Sequence, residues 1–246
     1  MKLNEILEVL QGIAPREMAE EWDNVGLLVS REGDEIDKIL VCLDYTKEAL
    51  EQAIREGCQM IVTHHPVIFK PLARIADPLL MDAVKHNICI YSCHTNLDAA
   101  PGGVNDVLAR KLDLYDVHCD GMLRFGTLKE ALEPEAFFEH VKLALNVPML
   151  RACPVEDKKI QRVAVLGGAG GDFLHAAIEN KCDAFVTGEA SYPVAQAAQS
   201  AGVVLVCAGH FETEVPVVQA LSKVLSESLP LVRITEGITL NPFPVL

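Results

Sequence analysis

Two stretches of the sequence repeat one strand–helix–strand pattern at a constant spacing, and this repeat constrains the fold more than any other feature. The apolar segment VCLD begins at Val41 and its counterpart VLGG begins at Val165, an offset of 124 residues. VTHH begins at Val62 and VTGE at Val186, at the same offset. Each pair brackets a helical segment, TKEALEQAIREG in the first stretch and GDFLHAAIENK in the second. Equal spacing with similar strand-end chemistry indicates a duplicated unit.

Apolar runs alternate with segments of helical periodicity along the chain, a pattern typical of α/β proteins. A further pair of strands, ICIYSCHTNLD and VVLVCAGHFETE, also resemble each other, with a smaller offset because the first stretch has extra residues around VIFKPLAR. The chain turns through CDGMLRFG and then begins the pattern again. We therefore predict an α/β fold of two similar halves, 1–124 and 125–246, with a site that draws on the strand ends of both.

The charge balance argues against several classes of partner. The chain has 21 Lys+Arg and 35 Asp+Glu, a net charge of −14 at pH 7. So acidic a surface repels phosphate backbones, and nucleic acid is therefore not an expected partner, although a small anion could still bind at a local cationic site. No apolar run is long enough to span a membrane, and the N-terminal MKLNEILEVLQG lacks the apolar core of a signal peptide. We expect a cytoplasmic protein that is not bound to a membrane.

The eight cysteines are predicted to be reduced and structural. Cys42, Cys89 and Cys207 lie within apolar runs that are typical of buried strands, where a thiol behaves as a small hydrophobic group. No CxxC pair is present, and Cys89 and Cys93 are four residues apart with no second pair to complete a zinc site. A cytoplasmic location agrees with this use of cysteine.

Histidine and carboxylate residues follow three of the predicted strands, where ligands bind in open α/β sheets. The residues concerned are His64, His65, His94, Asp98, His210 and Glu214. Adjacent residues on an extended chain point to opposite sides, so the pair His64-His65 could serve two metal ions, or one ion and a supporting contact. His210 and Glu214 would share a helix face if a helix begins there. Imidazole and carboxylate ligands suit zinc, iron or manganese, and paired ions are suited to activating water.

Each of these residues also has a structural interpretation when taken alone. A histidine at a strand end is often a hydrogen-bonded core residue, Asp98 could cap a turn, and Glu214 could be a solvated acid in a first helical turn. The combination favours a two-metal centre. His94 is interpreted as a substrate-facing or supporting group, with core packing as the alternative. The remaining histidines, His86, His118, His140 and His175, are predicted to be structural.

Two further features could carry chemistry. The glycine run GGAGGDF at 167–173 joins a strand to a helix, but it lacks the Lys-Ser/Thr ending of a nucleotide-binding loop and matches the dinucleotide pattern imperfectly. A tight turn is the favoured interpretation, with anion binding at the helix start as the alternative. Cys93, beside His94, is the one candidate nucleophile.

Five motifs in this order resemble one known family. They are WDNVGLLV at 22–29, VTHHPVIFKPL at 62–72, CHTNLDAAPGGVND at 93–106, VTGEASY at 186–192 and GHFETE at 209–214. The family is the NGG-interacting-factor-three-like family, also catalogued as GTP cyclohydrolase I type 2. The resemblance covers nearly the whole chain, and the HH, TNLD and GHxxxE elements are specific in combination.

The resemblance implies more than the spacing does. It implies two related, intertwined α/β halves with mixed β-sheets flanked by helices, ring-shaped homohexamers, and a dinuclear metal site in each subunit. The implied ligands are His64, His65 and Asp98 from the first half and His210 and Glu214 from the second. It further implies a metal-dependent hydrolase acting on a nucleotide or another small metabolite or phosphoester, or else a non-enzymatic metal-binding regulatory protein.

The sequence departs from its relatives around 188–193. Glu189 and Pro193 stand where many relatives have an aspartate and a histidine. We therefore predict that His94 or Glu189 carries protons in any reaction at the site. Many longer relatives also insert a domain between the halves, for which this chain has no room.

Overall fold

Helices and strands alternate along the chain in the computed structural model, which describes residues 1–243. The helices are α1 (Leu3–Ile13), α2 (Lys47–Glu56), α3 (Pro78–Lys85), α4 (Thr95–Ala99), α5 (Val104–Lys111), α6 (Pro134–Leu145), α7 (Leu174–Glu179), α8 (Tyr192–Ala201), α9 (His210–Glu214) and α10 (Pro216–Ser228). The strands are β1 (Gly26–Val29), β2 (Lys38–Cys42), β3 (Met60–Thr63), β4 (Cys89–Ser92), β5 (Tyr115–Asp120), β6 (Leu123–Leu132), β7 (Arg151–Cys153), β8 (Ile160–Leu166), β9 (Ala184–Thr187), β10 (Val204–Cys207) and β11 (Arg233–Glu236). Within the described residues, no helix is long and apolar enough to cross a membrane.

Local sequence signals set the ends of α2. Thr46 is the N-cap, and its hydroxyl accepts a hydrogen bond from the backbone N–H of Ala49. Gly57 ends the helix with φ 70°, a left-handed conformation that glycine adopts at little steric cost. The helix thus returns the chain to β3, which runs parallel to β2.

The chain divides into two compact units. Unit 1 comprises Met1–Gly103 and Val217–Pro242. Its five-stranded sheet has the order β1-β4-β3-β2-β11, in which β1 pairs antiparallel with β4 and the other neighbours are parallel. Strands β3 and β4 are buried along their whole length, as expected for central parallel strands covered on both faces. Their carboxyl ends therefore emerge from a rigid core.

Unit 2 comprises Val104–Pro216 together with Phe243. Its six-stranded sheet has the order β5-β6-β8-β9-β10-β7, with parallel pairing of β8, β9 and β10 and antiparallel pairing elsewhere. The core on one side of this sheet includes Phe137 and Val141 of α6, and the core on the other side includes Leu174 and Phe185. Both units are thus mixed sheets flanked by helices, as predicted.

The strand register reproduces the repeat found in the sequence. Val41 pairs with Val62 across β2 and β3, and Val165 pairs with Val186 across β8 and β9. In each unit the next parallel strand, β4 or β10, lies beside this pair and carries an antiparallel strand on its far side. The 124-residue offset therefore relates equivalent positions of two similar sheets.

The compact units have different bounds from the predicted halves 1–124 and 125–246. Unit 2 begins at Val104, and α10 from its second residue onward belongs with β11 to unit 1. β11 pairs in parallel with β2, in the register Arg233 to Lys38, and this pairing brings the segment Val217–Pro242 back to the first sheet. The predicted halves describe a repeated stretch of sequence, whereas the units describe which segments pack together.

Candidate metal centre

The two adjacent histidines follow the carboxyl end of β3, as the sequence predicts. The backbone N–H of His64 donates to the carbonyl oxygens of Cys42 and Leu43, and the N–H of His65 donates to that of Leu43. The Thr63 hydroxyl donates to the carbonyl oxygen of His65. These bonds fix the backbone turn that carries both imidazoles. In this turn His64 is buried and His65 is partly exposed.

His94 joins this pair within unit 1. It follows β4, the neighbour of β3, and a ligand nitrogen of each of the three imidazoles lies within 4.8 Å of one on the others. The His94 ring centroid lies 5.4 Å from that of His64 and 5.7 Å from that of His65. Asp98 lies one helical turn beyond His94, and its Oδ1 is 3.7 Å from Nε2 of His64. Unit 1 therefore gathers three imidazoles and one carboxylate.

Hydrogen bonds set the orientation of the two adjacent rings. Nδ1 of His64 lies 2.8 Å from the carbonyl oxygen of Cys93, and Nδ1 of His65 lies 2.6 Å from Oδ1 of Asp44. Because a carbonyl oxygen only accepts, Nδ1 of His64 carries the proton, and the carboxylate of Asp44 imposes the same arrangement on His65. Each ring then offers Nε2 as a metal ligand, an arrangement typical of histidine ligands in proteins.

His94 is held in the same way by a buried carboxylate. Its Nδ1 lies 3.0 Å from Oδ1 of Asp23, whose side chain is inaccessible to solvent. The other oxygen, Oδ2, accepts from the backbone N–H and the hydroxyl of Thr95. Burial alone would raise the pKa of Asp23, but the hydrogen bonds from His94 and Thr95 outweigh it and lower the pKa to about 2. Asp23 is therefore a fixed negative charge behind His94.

Unit 2 brings together the other two predicted ligands. α9 begins at His210, so His210 and Glu214 share a helix face, and Nε2 of the first lies 3.1 Å from Oε2 of the second. Nδ1 of His210 lies 3.1 Å from Oε1 of Glu189, which places the predicted proton carrier beside a ligand. When Nδ1–H of His210 is directed at Glu189, Nε2 of His210 and Oε2 of Glu214 face each other as two acceptors. A ring proton on Nε2 or a metal ion between the two atoms would satisfy both.

The glycine run 167–171 makes room for this pair. A Cβ on Gly168 would lie 2.2 Å from Oε1 of Glu214, and a Cβ on Gly188 would lie 2.8 Å from the Cα of His210. The N–H of Gly168 donates to the hydroxyl of Thr213, the residue before Glu214. The run is thus a tight turn from strand to helix, as favoured from the sequence, and its glycines permit the close approach of α9.

The separations between facing donor atoms are compatible with a divalent cation. Two ligand atoms bound tetrahedrally to one zinc ion at about 2.0–2.1 Å lie roughly 3.3 Å apart. His64 Nε2 and Asp98 Oδ1 are 3.7 Å apart, and His210 Nε2 and Glu214 Oε2 are 3.1 Å apart. Mixed nitrogen and carboxylate donors suit zinc, iron and manganese. The residues of each unit therefore fit a divalent metal.

The family model described as DUF34/NIF3 (NGG1p interacting factor 3) matches residues 1–240. The chain belongs to the DUF34/NIF3 family. A relative from Clostridium acetobutylicum, named GTP cyclohydrolase 1 type 2 homolog, is 33% identical and covers 93% of this chain and 91% of its own length. A Helicobacter pylori relative, named GTP cyclohydrolase 1 type 2, is 33% identical over 86% of each chain. The crystal structure of a hypothetical protein of Staphylococcus aureus matches with a TM-score of 0.93 and 26% identity, over 100% of this chain and 99% of the other.

In this member of the DUF34/NIF3 family, the sequence indicates the histidines of the site more readily than the carboxylates that orient their imidazole rings. Asp44 lies two residues after β2 and Asp23 lies in WDNVGLLV, so both residues stand in segments that the sequence singled out. Their contacts with His65 and His94 link segments 21 and 71 residues apart. A carboxylate shortly after a strand that neighbours the strand before the two histidines is the signal that could have identified Asp44.

The structure assigns Cys93 a role other than that of a nucleophile. Its side chain is completely buried, and burial raises the pKa of its thiol to about 12. The reactive thiolate is therefore scarce at neutral pH. The contribution of Cys93 to the site is its carbonyl oxygen, which holds His64. All eight cysteines are free thiols.

Proposed function

We propose that this protein is a metal-dependent hydrolase similar to the GTP cyclohydrolases of type 2, with two divalent ions, zinc, iron or manganese, in each chain. The proposed ligands are His64, His65, Asp98, His210 and Glu214. The observation that carries the proposal is the common orientation of the imidazoles, each of which directs Nδ1 to a fixed acceptor and leaves Nε2 for a metal.

The chemistry divides between the metal and the chain. A pair of divalent ions lowers the pKa of bound water and stabilises negative charge that develops on a substrate. Asp98 and Glu214 supply negative charge that binds cations, and Asp44 keeps the His65 ring in one orientation. We assign proton transfer to Nε2 of His94, whose Nδ1 is occupied by Asp23, and to the half-exposed carboxyl of Glu189.

The proposed substrate is a small nucleotide or a related metabolite or phosphoester. The names of the Clostridium and Helicobacter relatives support a purine nucleotide. Turnover is to be measured with metal-loaded protein against GTP and a broad panel of phosphoesters. Absence of turnover with every compound would rule out the catalytic part of the proposal while leaving metal binding intact.

Metal content per chain tests the centre directly. We expect about two transition-metal ions per chain in wild-type protein purified without a histidine tag, and a loss of metal in Asp98→Ala, measured by elemental analysis. The circular dichroism spectrum of Asp98→Ala should match that of the wild type, because Asp98 lies on a short, partly exposed helix. A wild-type protein that holds no metal and takes up none of zinc, iron or manganese would contradict the proposal.

A second candidate function is regulatory metal binding without catalysis. It is favoured by the description of the family as an interacting factor of NGG1p, which records a protein interaction rather than a reaction. Asp98→Ala discriminates between the two functions. A catalytic centre loses turnover while the assembly persists, whereas a metal that serves assembly or partner recruitment takes the assembly with it when it is lost.

A further inference from the structure

Two large aromatic side chains lie exposed beside His94. Trp22 is 58% exposed and Phe69 is 48% exposed. Their ring centroids are 5.7 Å apart, with an interplanar angle of 51°. The centroid of His94 lies 6.1 Å from that of Trp22 and 6.2 Å from that of Phe69, and in both contacts the rings meet edge to face. His94 thus contacts both this aromatic pair and the candidate ligands His64 and His65.

Hydrogen bonds tie down the two segments that bear the aromatic pair. Asn24 lies two residues after Trp22, and Ile68 lies just before Phe69. Nδ2 of Asn24 donates a hydrogen bond to the carbonyl oxygen of Ile68, at a distance of 2.5 Å. Asp23, the neighbour of Trp22, accepts hydrogen bonds from Thr95 and fixes His94. The segments that bear the two rings are therefore tied to each other and to the site. Because these segments are tied down, less backbone entropy remains to be lost when a ligand binds to the two rings.

We propose that Trp22 and Phe69 form a stacking surface for a planar aromatic or heteroaromatic ring of a small molecule. A ring laid on the exposed indole face would extend its substituents toward His94 and the candidate ligands beyond it. The surface deepens the proposed function and rests on it for the role of the neighbouring residues. Trp22 and Phe69 select the ring and position it, and neither takes part in bond making.

A small ring fits this surface better than a protein does. Aromatic side chains bury about 150–250 Å² each, so the exposed halves of two rings offer roughly 200 Å². A stable protein interface takes about 800 Å² from each partner. One stacked heterocycle, in contrast, covers an area of this size, and stacking of this kind accepts any base because every base has a π face.

The chain provides its own reporter, because Trp22 is its only tryptophan. Tryptophan emission of the full-length protein as purified is followed during titration with guanosine, adenosine and uridine, with excitation at the red edge of the indole band. We expect saturable quenching by at least one nucleoside and none by ribose 5-phosphate, which lacks the aromatic base. Emission that changes when the protein alone is diluted would mean that a second copy covers the rings, and the proposal would fail.

Three variants complete the test by calorimetry with the nucleoside that quenches most. Trp22→Ala and Phe69→Ala should each weaken binding roughly 5- to 100-fold. Tyr192→Ala, at an aromatic residue that is 76% exposed in unit 2, is the control and should bind as the wild type does. Equal binding by all four proteins, or binding by none, overturns the stacking surface. Metal content measured on the same samples reports separately on the proposed metal centre.

Discussion

Gly168 shows how one residue without a side chain determines the position of a candidate ligand. It has φ 63°, and a Cβ there would lie 2.2 Å from Oε1 of Glu214 and 3.3 Å from Nε2 of His210. The nearest atom is the end of a flexible side chain, so Gly168→Ala should displace the carboxylate rather than unfold the protein. We expect a loss of about 1 kcal/mol of stability from the left-handed conformation, together with a loss of bound metal.

Gly57→Ala is the matched control for this change. Gly57 has φ 70° and no atom within 4 Å of the added Cβ, so the same backbone strain arises without a clash. Chemical denaturation should give similar losses of stability for the two variants, and elemental analysis should show metal loss in Gly168→Ala alone. Full metal content in Gly168→Ala would show that Glu214 tolerates displacement or is not a ligand.

Asp44 is predicted to tune metal binding through His65. Asp44→Ala removes the acceptor of the Nδ1 proton, so metal affinity should fall about 10- to 100-fold in competition with a chromogenic chelator. Asp44→Asn keeps an acceptor oxygen and should retain more of the affinity. Asp34→Ala removes an exposed carboxylate that pairs with Lys2 and should leave affinity unchanged. An affinity equal to that of the wild type in Asp44→Ala would exclude this positioning role.

At the scale of single elements, the repeat extends to side-chain hydrogen bonds. The amide oxygen Oε1 of Gln59, just before β3, accepts from the backbone N–H groups of Asp37 and Lys38 at the start of β2. Lys38 in turn donates from Nζ to the carbonyl oxygen of Glu56 at the end of α2. These contacts close the amino ends of two parallel strands and the helix between them.

Asp183 makes the equivalent contacts 124 residues later. Its Oδ2 accepts from the N–H groups of Gln161 and Arg162, and Arg162 donates from Nε to the carbonyl oxygen of Asn180. Lys158 forms an ion pair with its other oxygen. Burial alone would raise the pKa of Asp183, but these hydrogen bonds and the ion pair lower it below the ordinary value. One structural role is thus filled by a neutral amide in unit 1 and by a carboxylate in unit 2.

This difference predicts a pH dependence that belongs to one unit. Asp183→Ala and Gln59→Ala should each cost about 1–3 kcal/mol at pH 7. The folded pKa of Asp183 lies below its unfolded value of about 3.9, so its stabilisation is complete above that value and is lost as the pH falls through the folded pKa. The difference between wild type and Asp183→Ala should therefore shrink below about pH 4. A pH-dependent loss in Gln59→Ala as well would locate the titration elsewhere.

The sequence predicts local helices and strands better than it predicts the pairing of β11 with β2. The strand pairs at Val41 and Val165 follow from apolar patterning and spacing, which act over a few residues. β11 has only four residues, and its partner β2 lies almost the whole chain away, so no local pattern specifies the pairing. The five ligand candidates could be named from strand ends, whereas the contacts of Asp44 with His65 and of Asp23 with His94 join distant segments, and the sequence does not predict them.

At the scale of the whole molecule, several large apolar side chains are exposed, and self-association is a proposal that they support. Leu143 is 81% exposed, Leu231 is 80% exposed and Met149 is 65% exposed, although each would gain from burial. We propose that the chain forms the homohexamer implied by the family resemblance and that its contacts bury residues of this kind. Light scattering should then give a mass near six times the 26.8 kDa of the chain, and a mass of one chain would contradict the expectation.

Whether the mass of the assembly depends on bound metal decides between the two candidate functions. If the ions serve catalysis and not assembly, Asp98→Ala should lose metal and keep the wild-type mass in light scattering. Leu231→Glu places a charge on an exposed apolar surface and should lower the mass without removing metal, if that surface is covered. A fall in mass in Asp98→Ala with metal loss, reversed by added zinc or manganese, would instead assign the metal to assembly.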